Sequence, residues 1–288
     1  MGFSRLHPSV LFVYFVSVIV FTMCVFHPLF AALSFGASLL LMLLIKKDKA
    51  LKTLCGEIVL FALISLINPF FGTNGSTVLF KIFGRAFTFE ALCFGMCSAA
   101  AFCTALQWLA CFGEMFTEDK FVSLFAPLSP SLTLLFAMVL KLVPELGHKL
   151  RRIREDRTHI SRGGGESAAG KICAGTEILS ALIGWALESA GDTAASMNAR
   201  GYGSGERTSF AGRQCRRGEI VLLSCILLSD GFLVAALANG AAAAAFYPKI
   251  DLTDISAPVL CVYALLLLLP AIFQITELLK WHISTSRI

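Results

Sequence analysis

The sequence is poor in charge: charged residues make up 15% of its 288 positions, against about 25% in an average soluble domain. Its five histidines are scattered and none of its ten cysteines forms a Cys-x-x-Cys pair, so no zinc-binding pattern is present. The stretch 165–171 resembles a phosphate-binding loop but lacks the Ser or Thr that holds Mg²⁺. No nucleophile–base pair or carboxylate dyad stands out. These absences argue against a soluble domain and an enzyme, and we expect neither a metal nor a cofactor.

Hydrophobic residues, by contrast, make up 57% of the chain, and the mean hydropathy is +0.77. A soluble protein of this size could not bury so much apolar surface, whereas a bilayer solvates it. Six apolar segments are long enough to cross a membrane as helices: roughly 9–26, 29–45, 54–71, 88–113, 219–245 and 257–280. We therefore predict an all-α, polytopic membrane helix bundle with about six spans. Its three expected parts are membrane helices in 1–126, an interfacial and cytoplasmic region in 127–218, and membrane helices in 219–288.

The basic residues predict the orientation of this bundle. The loop 46–52 carries four Lys and one Asp, and the region 144–218 holds twelve of the 24 Lys and Arg. Cytoplasmic loops are enriched in Lys and Arg, so we expect both segments, and by alternation both termini, in the cytoplasm. The net charge of +5 therefore reflects membrane topology and does not indicate nucleic-acid binding. The apolar segment 127–143 then begins and ends on the inner side, and we expect it to be interfacial or re-entrant.

The polar region contains two predicted helices, about 145–161 and 171–199, and each ends in an arginine followed by a glycine. A glycine ends a helix without steric cost, and a small residue before the arginine lets a partner surface approach closely. The guanidinium offers a fixed fork of donors to a carboxylate or to backbone carbonyls. Such a tip could dock into a groove on another protein or merely complement the helix dipole. The two steps are Ser161-Arg162-Gly163 and Ala199-Arg200-Gly201.

One carboxylate, Asp230, lies near the middle of the fifth predicted span. Because a carboxylate inside a membrane is costly, it usually faces other helices or a functional path. It could contact a membrane partner or hydrogen-bond a neighbouring helix of the same chain.

The stretch 197–209, Met-Asn-Ala-Arg-Gly-Tyr-Gly-Ser-Gly-Glu-Arg-Thr-Ser, resembles the signature of the transmembrane T component of energy-coupling factor (ECF) transporters. This family also includes the membrane subunit of cobalt importers. Further segments similar to the family lie in the right order at 68–72, 88–91, 119–125 and 128–145. The resemblance thus covers most of the chain, and its most specific part is the Ala-Arg-Gly-Tyr-Gly block.

The resemblance implies a scaffold in a prokaryotic plasma membrane that hydrolyses nothing itself. In the family, the T component joins two ABC-type ATPases to a substrate-binding membrane subunit, the S subunit. Two cytoplasmic coupling helices carry Ala-Arg-Gly-like motifs that dock into grooves on the ATPases. By resemblance, Arg200 takes the second of these roles and Arg162 the first, although Ser161 replaces the alanine there. The S subunit would select the cargo, a vitamin, metal ion or similar micronutrient.

Two other functions remain open. A membrane-embedded enzyme could bind an anionic lipid or polyprenyl phosphate through the clustered arginines at the inner interface. It would work as a single chain without ATPases, and the lack of a paired carboxylate or metal motif near the basic region speaks against it. A self-sufficient secondary carrier predicts inverted repeats between the two halves, and we find none.

Overall fold

A computed structural model describes residues 3, 6–46, 48–71, 77–82, 85–125, 129–160, 168–205, 215–241, 244–245, 251–252 and 256–285. Most of these residues are helical, so the predicted all-α class is confirmed. The helices are α1 (Pro8–Cys24), α2 (Pro28–Lys46), α3 (Asp48–Phe71), α4 (Phe89–Met115), α5 (Glu118–Phe125), α6 (Pro130–Ile160), α7 (Ala168–Ala199), α8 (Arg217–Ala238) and α9 (Ala257–Thr285). Two short antiparallel pairs join β1 (Val78–Ile82) to β2 (Arg85–Thr88) and β3 (Ala244–Ala245) to β4 (Asp251–Leu252).

The chain forms two compact units. The first combines Met1–Thr117 with Gln214–Ile288 and contains α1 to α4, α8 and α9. The second is Glu118–Arg213 and contains α5 to α7. The three-part division at 126 and 218 stays a prediction.

An aromatic core holds the first unit together. The Trp108 ring on α4 lies edge-on to the rings of Tyr14 and Phe15 on α1, with centroids 6.3 and 6.2 Å apart. The Tyr14 hydroxyl donates to the carbonyl oxygen of Leu266 on α9 over 3.1 Å. Edge-to-face aromatic pairs contribute about 0.5–1.5 kcal/mol beyond the area that they bury. Three helices that are distant in sequence therefore meet around one cluster.

Helices α3 and α4 approach each other closely because α4 has a glycine at their contact. A Cβ atom on Gly95 would lie 2.9 Å from the carbonyl oxygen of Ser65 and 3.0 Å from the Cβ of Asn68. The Asn68 side chain then donates from Nδ2 to the Ser98 Oγ over 3.0 Å. Small residues allow this kind of close helix packing in membranes, and interhelical hydrogen bonds add to it.

Helices α1 and α2 begin in the same way, with a histidine followed by a proline. The Nδ1 atom of His7 accepts the Ser9 backbone N–H over 3.3 Å, and the Nδ1 atom of His27 accepts the Leu29 backbone N–H over 3.2 Å. Each imidazole thus caps a backbone donor that the first helical turn leaves unpaired. The proline that follows suits the first helical position, where no N–H is needed.

Seven of the described helices are long and apolar enough to cross a membrane: α2, α3, α4, α6, α7, α8 and α9. This indicates a multi-pass membrane protein. Helix α1, which we counted as the first span, is a shorter apolar helix of 17 residues. The set includes α6 and α7, which we placed at the interface and in the cytoplasm on the basis of their charge. Length and composition do not test that placement, so the orientation and the six-span count stay predictions.

We predicted one segment that ends at 143 and a separate helix that begins at about 145, and this division is wrong. Helix α6 runs unbroken from Pro130 to Ile160 with Pro144 inside it. A proline within a helix removes one hydrogen bond and costs about 3 kcal/mol, so the other hydrogen bonds and contacts of α6 must outweigh this cost. The Phe136 ring of α6 contacts those of Phe121 and Phe125 on α5, with centroids 5.8 and 5.4 Å away. The apolar segment 127–143 and the first basic helix are therefore largely one element. Pro69 likewise lies inside a helix, in the last turn of α3.

Candidate functional site

Helix α7 ends in a Schellman motif, the arrangement in which two backbone N–H groups fold back onto the last helical carbonyls. The Tyr202 N–H donates to the Met197 carbonyl and the Gly201 N–H to the Asn198 carbonyl, each over 3.0 Å. Gly201 has a φ of +76°, which glycine adopts at little cost and other residues rarely adopt. The glycine of the Arg-Gly step therefore ends this helix, as the sequence predicted.

A tight turn follows the helix end and holds it in one conformation. The Ser204 backbone N–H and the Ser204 hydroxyl both donate to the Gly201 carbonyl oxygen, over 3.1 and 2.6 Å. Gly203 also has a positive φ, of +90°. We refer to residues 199–205 as the α7 tip. Its backbone N–H groups donate to carbonyl oxygens of the tip itself and of the last turn of α7.

The α7 tip presents its side chains to the surroundings. Ala199 and Arg200 are exposed, and Tyr202 is 45% exposed. Arg200 makes no salt bridge to any residue in the part of the chain that the structure describes. The tip thus offers a guanidinium with available donors beside an aromatic ring, and this pairing is typical of residues that dominate protein interfaces. Tyr202 and Ser204 were not among the predicted site residues, although the alternating glycines at 201, 203 and 205 signal a turn.

The first Arg-Gly step lies outside the described residues. The role of Ser161, Arg162 and Gly163 stays a prediction. The helix that precedes them, α6, ends at Ile160, within one residue of the predicted end.

Helices α6 and α7 pack against each other within the second unit. The Lys149 Nζ of α6 lies 5.5 Å from the centroid of the Trp185 ring of α7. A cation over an indole face is attracted by the ring quadrupole, by about 0.5–1 kcal/mol at an exposed site. This contact connects α7 to the helix that leads toward the other predicted tip.

One face of α7 is apolar and exposed. Its large side chains lie at intervals of seven, four and four residues, which puts them on one stripe of the helix. They are Ile172, Leu179, Ile183 and Leu187. An exposed apolar stripe of this kind marks a surface that lipid or a partner protein covers.

Asp230 contacts another helix of the same unit. It lies on α8, near the side chain of Ser17 on α1. Its Oδ1 atom is buried and has no hydrogen-bond partner among the residues that the structure describes. The carboxylate therefore faces α1, whereas a contact with a membrane partner stays a prediction.

The described part of the chain holds no group of three or more His, Cys, Asp or Glu side chains placed to bind a metal ion. Comparisons of the chain with protein-family models and with curated proteins find no match. The fold and the site define a multi-pass helical membrane protein in which one helix end is closed by backbone hydrogen bonds and carries an exposed arginine. The motif resemblance and this geometry carry the functional proposal.

Proposed function

We propose that this chain is the transmembrane coupling subunit of an ECF-type importer, and that the α7 tip docks into a groove on a partner ABC-type ATPase. The α7 tip is the observation that carries the proposal. It is a helix end held by its own backbone bonds, with an exposed Arg200 at the position where the sequence resembles the family's docking motif. The guanidinium would donate to a carboxylate or to backbone carbonyls of the ATPase groove.

Helix α7 is built to transmit a displacement of its tip. With 32 residues it is about 48 Å long at a rise of 1.5 Å per residue. Lys149 links it to α6, and the Phe136 contacts link α6 to α5. When the ATPases close on ATP and reopen after hydrolysis, a docked tip would shift as a rigid body and carry these helices with it. Arg162 would anchor the second ATPase in the same manner.

The exposed apolar stripe of α7 supports a membrane partner for this scaffold. In the proposed assembly, movement of α5 to α7 reorients a substrate-binding S subunit, which takes up a vitamin, metal ion or similar micronutrient. The chain would lie in the cell membrane of a prokaryote with both termini in the cytoplasm. It contributes mechanical coupling and no catalytic group.

The test is co-purification from cells that express the tagged chain together with its neighbouring genes. Arg200→Glu should reduce recovery of the ATPases, and the double variant Arg162→Glu/Arg200→Glu should abolish both recovery and uptake. Arg151→Glu is the matched control, because this arginine is also exposed but lies within α6, away from the tip. Normal assembly and uptake in the double variant would refute the proposal.

The alternative of an enzyme that acts on an anionic lipid or polyprenyl phosphate has one supporting observation. Arg151, Arg152 and Arg154 of α6 are exposed and could bind phosphate. Turnover of such a lipid by the purified single chain, without ATPases, would favour the enzyme over the coupling subunit.

A further inference from the structure

A cavity of about 660 Å³ lies between α2, α3 and α4 of the first unit. Most of its lining is apolar and includes Phe35 of α2, Phe61 of α3, and Met96 and Ala100 of α4. Sites for small molecules in proteins measure roughly 300–1,000 Å³ and combine an apolar lining with a few placed polar groups. The volume and the lining both match that description.

Among the described residues that line this cavity, Glu57 of α3 is the only one with a carboxylate. It is 8% exposed, and its Oε2 accepts a hydrogen bond from the Gln107 Nε2 of α4 over 2.6 Å. The Gln107 Oε1 in turn accepts the hydroxyl of Ser38 on α2 over 2.5 Å. Both Gln107 and Ser38 are fully buried. This relay joins the three helices that form the cavity and holds the carboxylate at its wall.

The second oxygen of this carboxylate has no hydrogen-bond partner among the residues that the structure describes. Among the described residues, no hydrogen bond reaches the Glu57 Oε1, and the nearby cation Lys46 pairs with Glu114 over 3.6 Å. A buried carboxylate in an apolar setting is costly unless a donor or a cation satisfies it. The cavity therefore combines an apolar body with a buried carboxylate that a positively charged group would stabilise.

We propose that this cavity binds an amphiphilic amine, with its hydrocarbon chain along the apolar lining and its ammonium group on the Glu57 carboxylate. Charge decides the class of ligand. An ammonium donates charge-assisted hydrogen bonds to a carboxylate, whereas a phosphate or carboxylate headgroup would be repelled. A neutral acyl chain would fill the space but leave the carboxylate unsatisfied. The site lies within the first unit and does not require the coupling role of the α7 tip.

Photolabelling of the full-length chain in phosphatidylcholine nanodiscs tests the proposal. The probe is dodecylamine with a diazirine on its hydrocarbon chain, and mass spectrometry maps the labelled residues. We expect labels on lining residues such as Phe61 and Met96. Unlabelled dodecylamine should compete roughly tenfold or more better than dodecanol, the neutral analogue. Equal competition by the two would mean a lipid groove without specificity and would overturn the proposal.

Two variants test separately the charge of Glu57 and the volume of the cavity. Glu57→Gln keeps the size and can still accept from Gln107, and we expect it to reduce labelling about tenfold. Ala100→Phe fills the cavity and should block labelling even if Glu57→Gln does not fold. Glu118→Gln on α5 lies outside the lining and should change nothing. Labelling that persists in both cavity variants contradicts the proposed site.

Discussion

The backbone N–H of Tyr202 donates to the carbonyl oxygen of Met197 over 3.0 Å and closes helix α7 directly after Arg200. This bond requires the residue between Arg200 and Tyr202 to have a positive φ, and Gly201 supplies it at +76°. The conformation of the tip thus depends on one backbone position, while its proposed binding chemistry depends on the side chain beside it. The two can be tested separately.

Replacement of Gly201 tests the conformation of the tip. Gly201→Ala places a Cβ 3.1 Å from the Ser204 Oγ at a left-handed φ, and we expect a local cost of about 1–2 kcal/mol. Amides 201, 202 and 204 should then exchange with solvent roughly tenfold faster, and recovery of the ATPases should fall although Arg200 is intact. Gly205→Ala is the control, since its Cβ meets nothing within 4 Å and its φ is not in the left-handed range. Unchanged amide exchange in Gly201→Ala would contradict the proposed role of this bond.

The Lys149–Trp185 contact should couple α6 to α7. Lys149→Met keeps the length of the side chain but removes the charge over the indole ring, and we expect a loss of about 0.5–1 kcal/mol in the stability of the second unit. A double-mutant cycle with Trp185→Leu measures this value in detergent. A coupling energy near zero would show that the cation contributes nothing to the helix pair.

Gly95 should be essential for the contact between α3 and α4. Gly95→Leu forces atoms against the Ser65 carbonyl, and overpacking of this kind costs about 1–3 kcal/mol. The thermal unfolding temperature in detergent should fall. Gly113→Leu on the same helix is the control, because a Cβ there meets nothing within 4 Å. Equal effects of the two substitutions would exclude close approach as the reason for the glycine.

The relay from Ser38 through Gln107 to Glu57 predicts non-additive substitutions. Gln107→Leu removes the donor to the buried Glu57 carboxylate, whereas the Ser38 hydroxyl can still donate to the Phe35 carbonyl oxygen over 2.9 Å. We expect a cost of about 2–4 kcal/mol, since the penalty for an unpaired group is larger when it is charged. The double variant Gln107→Leu/Glu57→Leu removes the carboxylate as well and should recover much of this loss. The comparison is made by chemical denaturation in detergent. A double variant less stable than Gln107→Leu would contradict the relay.

His27 should make the protein sensitive to acid. Burial in the connection between α1 and α2 lowers the pKa of its imidazole, so the folded state disfavours the protonated form. Stability is therefore full above the ordinary histidine pKa of about 6.5 and falls as the pH drops below it. His27→Asn keeps a cap acceptor but does not titrate, so its stability between pH 7 and pH 5 should change less than that of the wild type. Parallel pH profiles for the two proteins would contradict this assignment.

Periodic, local signals made much of the fold predictable. The lengths of the apolar runs predicted the ends of α2, α4 and α9 to within a few residues. The Arg-Gly step predicted the end of α7 at Ala199. The sequence was misleading at Pro144. A proline indicates the loss of one helical hydrogen bond, but it does not indicate whether other interactions of the helix outweigh that loss. It gave no sign of the β1–β2 pair.

The cavity and its polar relay could not be predicted. Ser38, Glu57 and Gln107 lie in three separate apolar runs, and nothing in the sequence connects them with one another. Their hydrogen bonds depend on the depth and rotation of α2, α3 and α4 relative to one another, and neither quantity has a local signature. The same holds for Asp230, whose position near Ser17 depends on the contact between α8 and α1.

The most direct test of the coupling account is cross-linking from the α7 tip in living cells. A photoreactive amino acid replaces Tyr202, the cells are irradiated, and the cross-linked partner is identified by mass spectrometry. The account predicts peptides of an ABC-type ATPase, and it predicts that Arg200→Glu in the same chain removes them. Recovery of lipid adducts alone, or of ATPase peptides at equal yield with Arg200→Glu, would contradict it.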